Sequence, residues 1–326
     1  MDVDLRKPLV FTHVYSSAPW GGAGIAEAFG RGDVPEICSE SWEISGHPFG
    51  MSRVRGGKFD GMTLAELAAR YGAELTGRKA PDPYQFPLLF KLIDARESLS
   101  VQVHPNHRNA MLTGGTPKTE AWVVLDAKPG AYLYAGLVPG TTEVSLRSAV
   151  DGGAKVLERL LRYAVNAGDV LFVPGGMAHA IGAGCLIYEV QQSSNTTYRL
   201  YDWDRRDEQG RGRALHIEQA LKSIEYGIAP QPLRHLQDGI THNQWRTVVK
   251  SAYFRVRDVI LAREQVAPLD GGSFIAVFVA EGKAVVASGG EEVLLEHGAS
   301  ALIPACATTC SFKPVEGSAR LLLSSL

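Results

Sequence analysis

The pattern of apolar and polar positions changes period along this chain. TLAELAARYGAEL (63–75) spaces its apolar residues for one helical face behind Thr63, with Glu66 placed to complete a capping box. AKVLERLLRY (154–163) predicts a second helix, and HIEQALKSIEYG (216–227) a third with Gly227 as its C-cap. Elsewhere the apolar residues come in short alternating runs divided by Gly and Pro: KTEAWVVLDA, GAYLYAGL, DVLFVPGG and GCLIYEVQQ. From about residue 245 the chain is almost entirely strand-like. Many short strands with regular turn signals predict a mainly β protein, a sandwich or barrel.

A weak internal repeat refines this. NAGDVLFVPGGMAHAI (166–181) and EHGASALIPACATTCSF (296–312) each place a Pro six residues after a Gly: Gly168 to Pro174, and Gly298 to Pro304. The first copy continues to Gly176 and His179, where the second has Cys306 and Thr309. The expectation is two related β-barrels, a catalytic one over 1–228 with the helices inserted in it and a ligand-free one over 229–326. The polar, Pro-containing stretch IAPQPLRHLQDGITHNQ (228–244) reads as the linker.

Composition narrows the function. At 45% hydrophobic and 21% charged residues, the chain has the make-up of an ordered globular protein rather than a disordered one. A formal net charge of −2 without any block of like charges argues against a nucleic-acid partner. No apolar run is long enough to span a bilayer, so no membrane role is expected. The opening MDVDLRKPLVFTHVY is acidic at its start and reads against a secretory leader. Four cysteines with no CxxC fit a reducing cytoplasm and leave nitrogen and oxygen as the only donors for a metal.

Such donors are present. In SLSVQVHPNH (98–107) Val101 and Val103 share one strand face, so Gln102 and His104 share the other. Lys118 and Glu120 repeat that spacing in PKTEAWVVLD, and His179 follows a Pro-Gly-Gly turn that permits close backbone approach. Gln102, His104, Glu120 and His179 together offer two nitrogens and two oxygens, a set for one divalent ion with Zn²⁺ first in line. The remaining histidines lack partner spacing; His216 reads as a helix cap and His107 as a turn residue.

These same segments carry a family resemblance. GDVLFVPGGMAH (168–179) resembles the second signature of the cupin superfamily, with Ala183 in place of its usual terminal Asn. FPLLFKLIDARESLSVQVHPN (86–106), KTEAWVVLDA (118–127), NTTYRLYDW (195–203), WGG (20–22) and ESWEISGHP (40–48) resemble type I mannose-6-phosphate isomerases of the short bacterial branch. The likeness runs from about residue 8 to 228, and the last hundred residues resemble a degenerate cupin. The resemblance implies two cupin-type jelly-roll barrels and a zinc held by Gln102, His104, Glu120 and His179. It implies an essential Arg199, a pocket lysine at Lys118 and a pocket glutamate at Glu189. The chain departs from the family at Asn195, where many relatives have Asp, and at Pro117, where some have His.

The expected reaction is the interconversion of mannose 6-phosphate and fructose 6-phosphate through an enediol. Arg199 is assigned to electrostatic stabilisation of the enediolate or the phosphate, because a guanidinium does not readily lose its proton. Lys118 is assigned to substrate binding with a lesser role in proton transfer, Glu189 to general base, and Glu40 to the pocket lining. Arg199 could instead be a structural partner of Asp202 or Asp204. The rival functions are a related cupin isomerase acting on another sugar, a non-catalytic sugar-binding cupin, and a metal-dependent dioxygenase. Oligomeric expectation stops at a monomer or homodimer.

Overall fold

The computed structural model describes residues 2–229 and 231–326. It is mainly β, with its strands in three sheets whose neighbours all pair antiparallel. The first sheet runs, in spatial order, Val14–Ser16, Glu40–Ser45, Leu88–Ala95, Cys185–Gln192, Glu120–Ala127, Asp169–Val173 and Arg234–His235. The second runs Tyr198–Tyr201, Val101–Val103, His179–Ile181, Tyr132–Leu137 and Leu160–Ala164. The third is built from the C-terminal strands, its centre the long pair Ile275–Ser288 and Thr309–Ser325. The jelly-roll expectation thus takes the form of sandwiched sheets in the N-terminal part.

Side-chain alternation explains the layering. Leu88–Ala95 is buried along its whole length, as a strand covered on both faces must be. Phe90 and Leu92, with Tyr188 and Val190, face Phe274, Phe278, Leu302 and Leu322 of the C-terminal unit. Ile93 and Ala95, with Trp122 and Ile187, face Leu133, Ala135 and Ile181 of the second sheet. The outer face of that second sheet, Val101, Val103, Tyr198 and Leu200, is covered by Leu146 and Val150 of the helix Glu143–Asp151 and by Ala220 and Leu221 of the helix Ile217–Ser223. The third sheet fills its own interior with Val259, Val277, Leu321 and Leu323.

The capping box at Thr63 and Glu66 forms, and the helix it starts runs Leu64–Tyr71 before Gly72 interrupts it. The helix expected over 154–163 does not form. Gly153–Arg159 is a 3-10 turn, and Leu160–Ala164 becomes the edge strand beside Tyr132–Leu137, so sheet pairing overrides local propensity. The third helix stops at Ser223, short of Gly227, and His216 stands at its N-cap position without a side-chain capping bond. The stretch 228–244 is more than a tether: Arg234–His235 pairs with Val170 and Asp169, and Leu236 N–H donates to Gly168 C=O at 2.7 Å.

Candidate metal centre and active site

The four expected ligands come from three strands that meet at one end of the sandwich. Gln102 lies opposite His179 across a single strand pair, and Glu120 opens the neighbouring strand Glu120–Ala127 in the facing sheet. The Pro-Gly-Gly turn draws them together. Gly176 N–H donates to the His104 carbonyl at 2.7 Å, and a Cβ on Gly175 would meet the Pro105 carbonyl at 2.9 Å. No larger residue fits Gly175 without moving the strand end that carries His104.

The imidazoles are oriented from behind. His104 Nδ1 lies 2.7 Å from the Thr196 carbonyl and His179 Nδ1 lies 2.9 Å from the Met177 carbonyl. A carbonyl only accepts, so each Nδ1 carries the proton and each Nε2 presents a lone pair to the centre. Burial, followed by the neighbouring Lys118 charge, pushes the His104 pKa down to about 3, and burial lowers that of His179 too. Both rings are therefore neutral at ordinary pH. His104 Nε2 is 3.2 Å from Glu120 Oε1, and His179 Nε2 is 3.7 Å from Glu120 Oε2. Donor atoms of His104, Glu120 and His179 all fall within 4.8 Å of one another.

Glu120 supplies the test of fit. Its carboxylate is buried, and neither oxygen has an aligned hydrogen bond. The Lys118 ammonium, 2.7 Å from Oε1 and 3.4 Å from His104 Nε2, balances the charge without that alignment. Burial alone would raise the Glu120 carboxyl; Lys118 and His104 hold it well below its usual range. A buried anion short of hydrogen bonds, between two imidazole lone pairs, is a set of donors matched to a divalent cation. Gln102 adjoins them, its Nε2 3.3 Å from His179 Nε2 and its Oε1 accepting from Ser100 Oγ at 3.1 Å.

Above these donors opens a cavity of about 330 Å³. Glu40, Lys91, Lys118, Glu189, Asn195 and Arg199 all line it. Glu189 accepts from the Trp122 indole at 2.8 Å and has Lys91 at 3.8 Å. Burial, then the charge of Glu120, raises the Glu189 pKa to about 7. Glu40 accepts from the Trp42 indole at 2.7 Å and pairs with Lys91 at 3.3 Å. Burial would lift the Glu40 carboxyl, but Lys91 and the indole hold it below its ordinary value. Arg199 has a buried Nε with no hydrogen-bond partner, while Asp202 is taken bidentately by Arg213 at 2.7 and 2.5 Å. The alternative of Arg199 as the ion-pair partner of Asp202 or Asp204 is thus not what the side chains do.

Lys91 is the site residue that strand patterning passed over, although a signal was there. It is the only charge inside the apolar run LLFKLI, and a lysine on a fully buried strand needs a partner or a task. Arg213 also reaches the cavity, from the charged loop DRRDEQGRGR (204–213).

Residues 9–129 match the catalytic domain of phosphomannose isomerase type I, and residues 244–326 match the cupin domain of mannose-6-phosphate isomerase. The chain is 37% identical over 307 residues to the mannose-6-phosphate isomerase of Streptococcus mutans, covering 92% of this chain and 93% of that protein. The crystal structure of the mannose 6-phosphate isomerase from Bacillus subtilis superposes with a TM-score of 0.85 at 30% identity, over 98% of this chain and 100% of that one. A mannose 6-phosphate isomerase bound with zinc and yttrium shares the fold, with a TM-score of 0.72 at 17% identity over 98% of each chain. The chain belongs to the type I phosphomannose isomerase family.

Proposed function

We propose that this cavity interconverts mannose 6-phosphate and fructose 6-phosphate through an enediol, with one divalent cation held by Gln102, His104, Glu120 and His179. The observation that carries the reading is the buried Glu120 carboxylate, without aligned hydrogen bonds, facing two imidazole lone pairs. Zinc suits two nitrogen and two oxygen donors and is one of the two metals, with yttrium, bound in a mannose 6-phosphate isomerase of the same fold, so it is the metal we assign. When bound, the ion supplies Lewis-acid polarisation of the substrate's oxygens.

The chain's own groups do the rest. Gln102 serves as an oxygen ligand with its amide turned end for end, Ser100 Oγ then accepting from the amide nitrogen. Lys118 lies 2.7 Å from Glu120 on the cavity wall, within reach of the substrate's oxygens, and binds them there. Arg199 stays protonated and stabilises the negative oxygens of the enediolate or the phosphate. Glu189, with a pKa of about 7, holds and returns the proton that moves between C1 and C2, a role typically worth ~10²–10⁴-fold. Glu40 binds a substrate hydroxyl from the same sheet, on the far side of Lys91 from Glu189.

On this reading 1–228 is the catalytic unit and 229–326 the ligand-free one. The free thiols of Cys38, Cys185, Cys306 and Cys310 support a reducing cytoplasmic setting, for a monomer or homodimer. Asn195 on the cavity wall keeps a second reading in view, a related isomerase for another sugar phosphate. Metal analysis of the purified protein, combined with assays on mannose 6-phosphate, glucose 6-phosphate and free sugars, tests both. We expect one zinc per chain and activity on mannose 6-phosphate that chelation abolishes and zinc restores. Full activity after stripping refutes the metal role, and faster turnover of another sugar favours the second reading.

A further inference from the structure

The strand Glu40–Ser45 has a different task on each face. Glu40 and Trp42 look into the cavity, where the Lys91 ammonium lies 4.7 Å from the Trp42 ring centre. Behind them the pairing with Leu88–Ala95 slips: Trp42 opposes Lys91 and Ile44 opposes Phe90, which leaves Glu43 as the extra residue of a β-bulge. Bulges re-aim side chains next to active sites. Alternation along the strand already turns the Glu43 carboxylate away from Trp42 and the cavity, into the seam between the catalytic part and the C-terminal sheet, and the slip brings Ile44 to that same seam.

Glu43 is fully buried there and closely held. Arg31 reaches it bidentately, Nη1 to Oε1 and Nη2 to Oε2, both at 2.8 Å. Ser41 Oγ donates to Oε1 at 2.6 Å, and His13 Nε2 lies 3.4 Å from Oε2. Two groups come from the C-terminal unit: Ser300 Oγ donates to Glu43 Oε2 at 3.5 Å, and the Gly298 carbonyl accepts from Arg31 Nη2 at 2.6 Å. The Gly298 turn is seated as well as bonded. Its φ is +78°, and a Cβ there would fall 2.1 Å from the Phe29 ring, which also lies 5.0 Å from the His297 ring.

A buried ion pair is a poor source of stability, since apolar residues of the same volume often do as well. What a bidentate guanidinium–carboxylate pair supplies is geometry. Here it fixes the strand whose neighbouring residues form one wall of the cavity. We propose that Arg31 and Glu43 are positioning residues, through which the C-terminal unit sets the Glu40–Trp42 wall against the sugar phosphate. The inference rests on the reading above, that this cavity binds the substrate and that Glu40 touches it.

Groups that only align a binding wall act on ground state and transition state alike, so their loss raises KM more than it lowers kcat. Arg31→Met should raise KM for mannose 6-phosphate about tenfold or more, with kcat within about threefold and metal content unchanged. Arg31→Lys keeps the charge but cannot span both Glu43 and the Gly298 carbonyl, and should fall between. The double variant Arg31→Met, Glu43→Leu removes the unpaired buried charge, so its denaturant midpoint should recover while its KM stays high. Recovery of KM in the double variant, or a normal KM in Arg31→Met, overturns positioning and leaves a merely stabilising pair. If Arg31→Met does not fold, Arg31→Lys and Gly298→Ala carry the same readout, and normal KM in both overturns the inference. Glu40→Gln separates the two levels: normal kinetics there sinks the substrate-wall reading itself, whereas a defect there beside normal Arg31 variants sinks positioning alone.

Discussion

Gly168 and Gly298 stand at equivalent points of two related segments, and the segments diverge immediately afterwards. Each glycine has positive φ, +92° and +78°, and each donates its N–H to the adjoining chain, to Val124 C=O at 2.7 Å and to Val279 C=O at 2.8 Å. Each leads into a strand, Asp169–Val173 or Ser300–Ile303, and each strand ends at a proline, Pro174 or Pro304. The first then turns through Gly175 and Gly176 to a buried His179; the second passes Cys306 to an exposed Thr309. The interior of the C-terminal sheet is closed by Val259, Val277, Leu321 and Leu323, whereas the catalytic sandwich keeps about 330 Å³ open and lined with charge. The scaffold therefore does not need a polar interior. The C-terminal unit buries an ion pair, Asp258 with Arg320 at 2.9 Å, whereas Lys91, Lys118, Glu120 and Glu189 crowd around a single cavity, an arrangement that stability alone does not call for.

The sharpest break of this comparison is a pair of substitutions, one on each side of it. His104→Ala should remove the bound metal and lower kcat/KM by more than about a thousandfold, because a cation cannot be held by the remaining donors with the same geometry. Thr309→Ala, at the position that corresponds to His179, should leave metal content and rate at wild-type values. Elemental analysis and a coupled isomerase assay read both. A metal-loaded, active His104→Ala protein would remove the basis for setting the two segments apart.

Most of the convergence of side chains on the open side of that contrast was legible in the chain, and the reasons are local. A strand has a two-residue period, so Gln102 with His104 and Lys118 with Glu120 announce shared faces, and the Pro-Gly-Gly turn announces a close approach. The misses have non-local causes. The apolar spacing of Val156, Leu157, Leu160 and Leu161 suits a helix, but Leu160–Ala164 is claimed by an edge of the second sheet. The charge of the buried Glu43 is met by Arg31, which is held in turn by the carbonyl of Gly298, 267 residues beyond that arginine. No window of sequence holds both ends of such a contact. Lys91 is the intermediate case: visible as a lone charge in an apolar run, interpretable only once Glu40 and Glu189 stand beside it.

A smaller effect separates the two interiors by stability rather than rate. Leu321 is fully buried in the closed C-terminal core, so Leu321→Ala should cost ~2–5 kcal/mol in unfolding free energy. Its side chain faces away from the seam, on the opposite side of its strand from Leu322, so metal content and KM of the folded protein should not change. Denaturant unfolding followed beside the isomerase assay measures both. A raised KM in this variant would mean that the apolar interior, and not only the seam, communicates with the cavity.

The smallest expected effect concerns the cost of the polar interior itself. Glu189 has a folded-state pKa of about 7 against 4.5 for an unburied glutamate, with burial the main cause and the Glu120 charge the next. A carboxyl raised on folding favours the folded state while both states hold the proton, and that advantage is lost as pH rises from about 4.5 through about 7. Metal-free wild-type protein should therefore lose stability across this window by an amount on the order of a few kcal/mol, and Glu189→Gln should not show that component. Unfolding midpoints at pH 5 and pH 8 for the two proteins give the difference directly. Zinc should flatten the wild-type slope, since a cation on Glu120 offsets the second cause of the shift while leaving burial in place. Parallel pH profiles for wild type and Glu189→Gln would show that this carboxyl is not held near neutrality, and would take with it the assignment of proton transfer to Glu189.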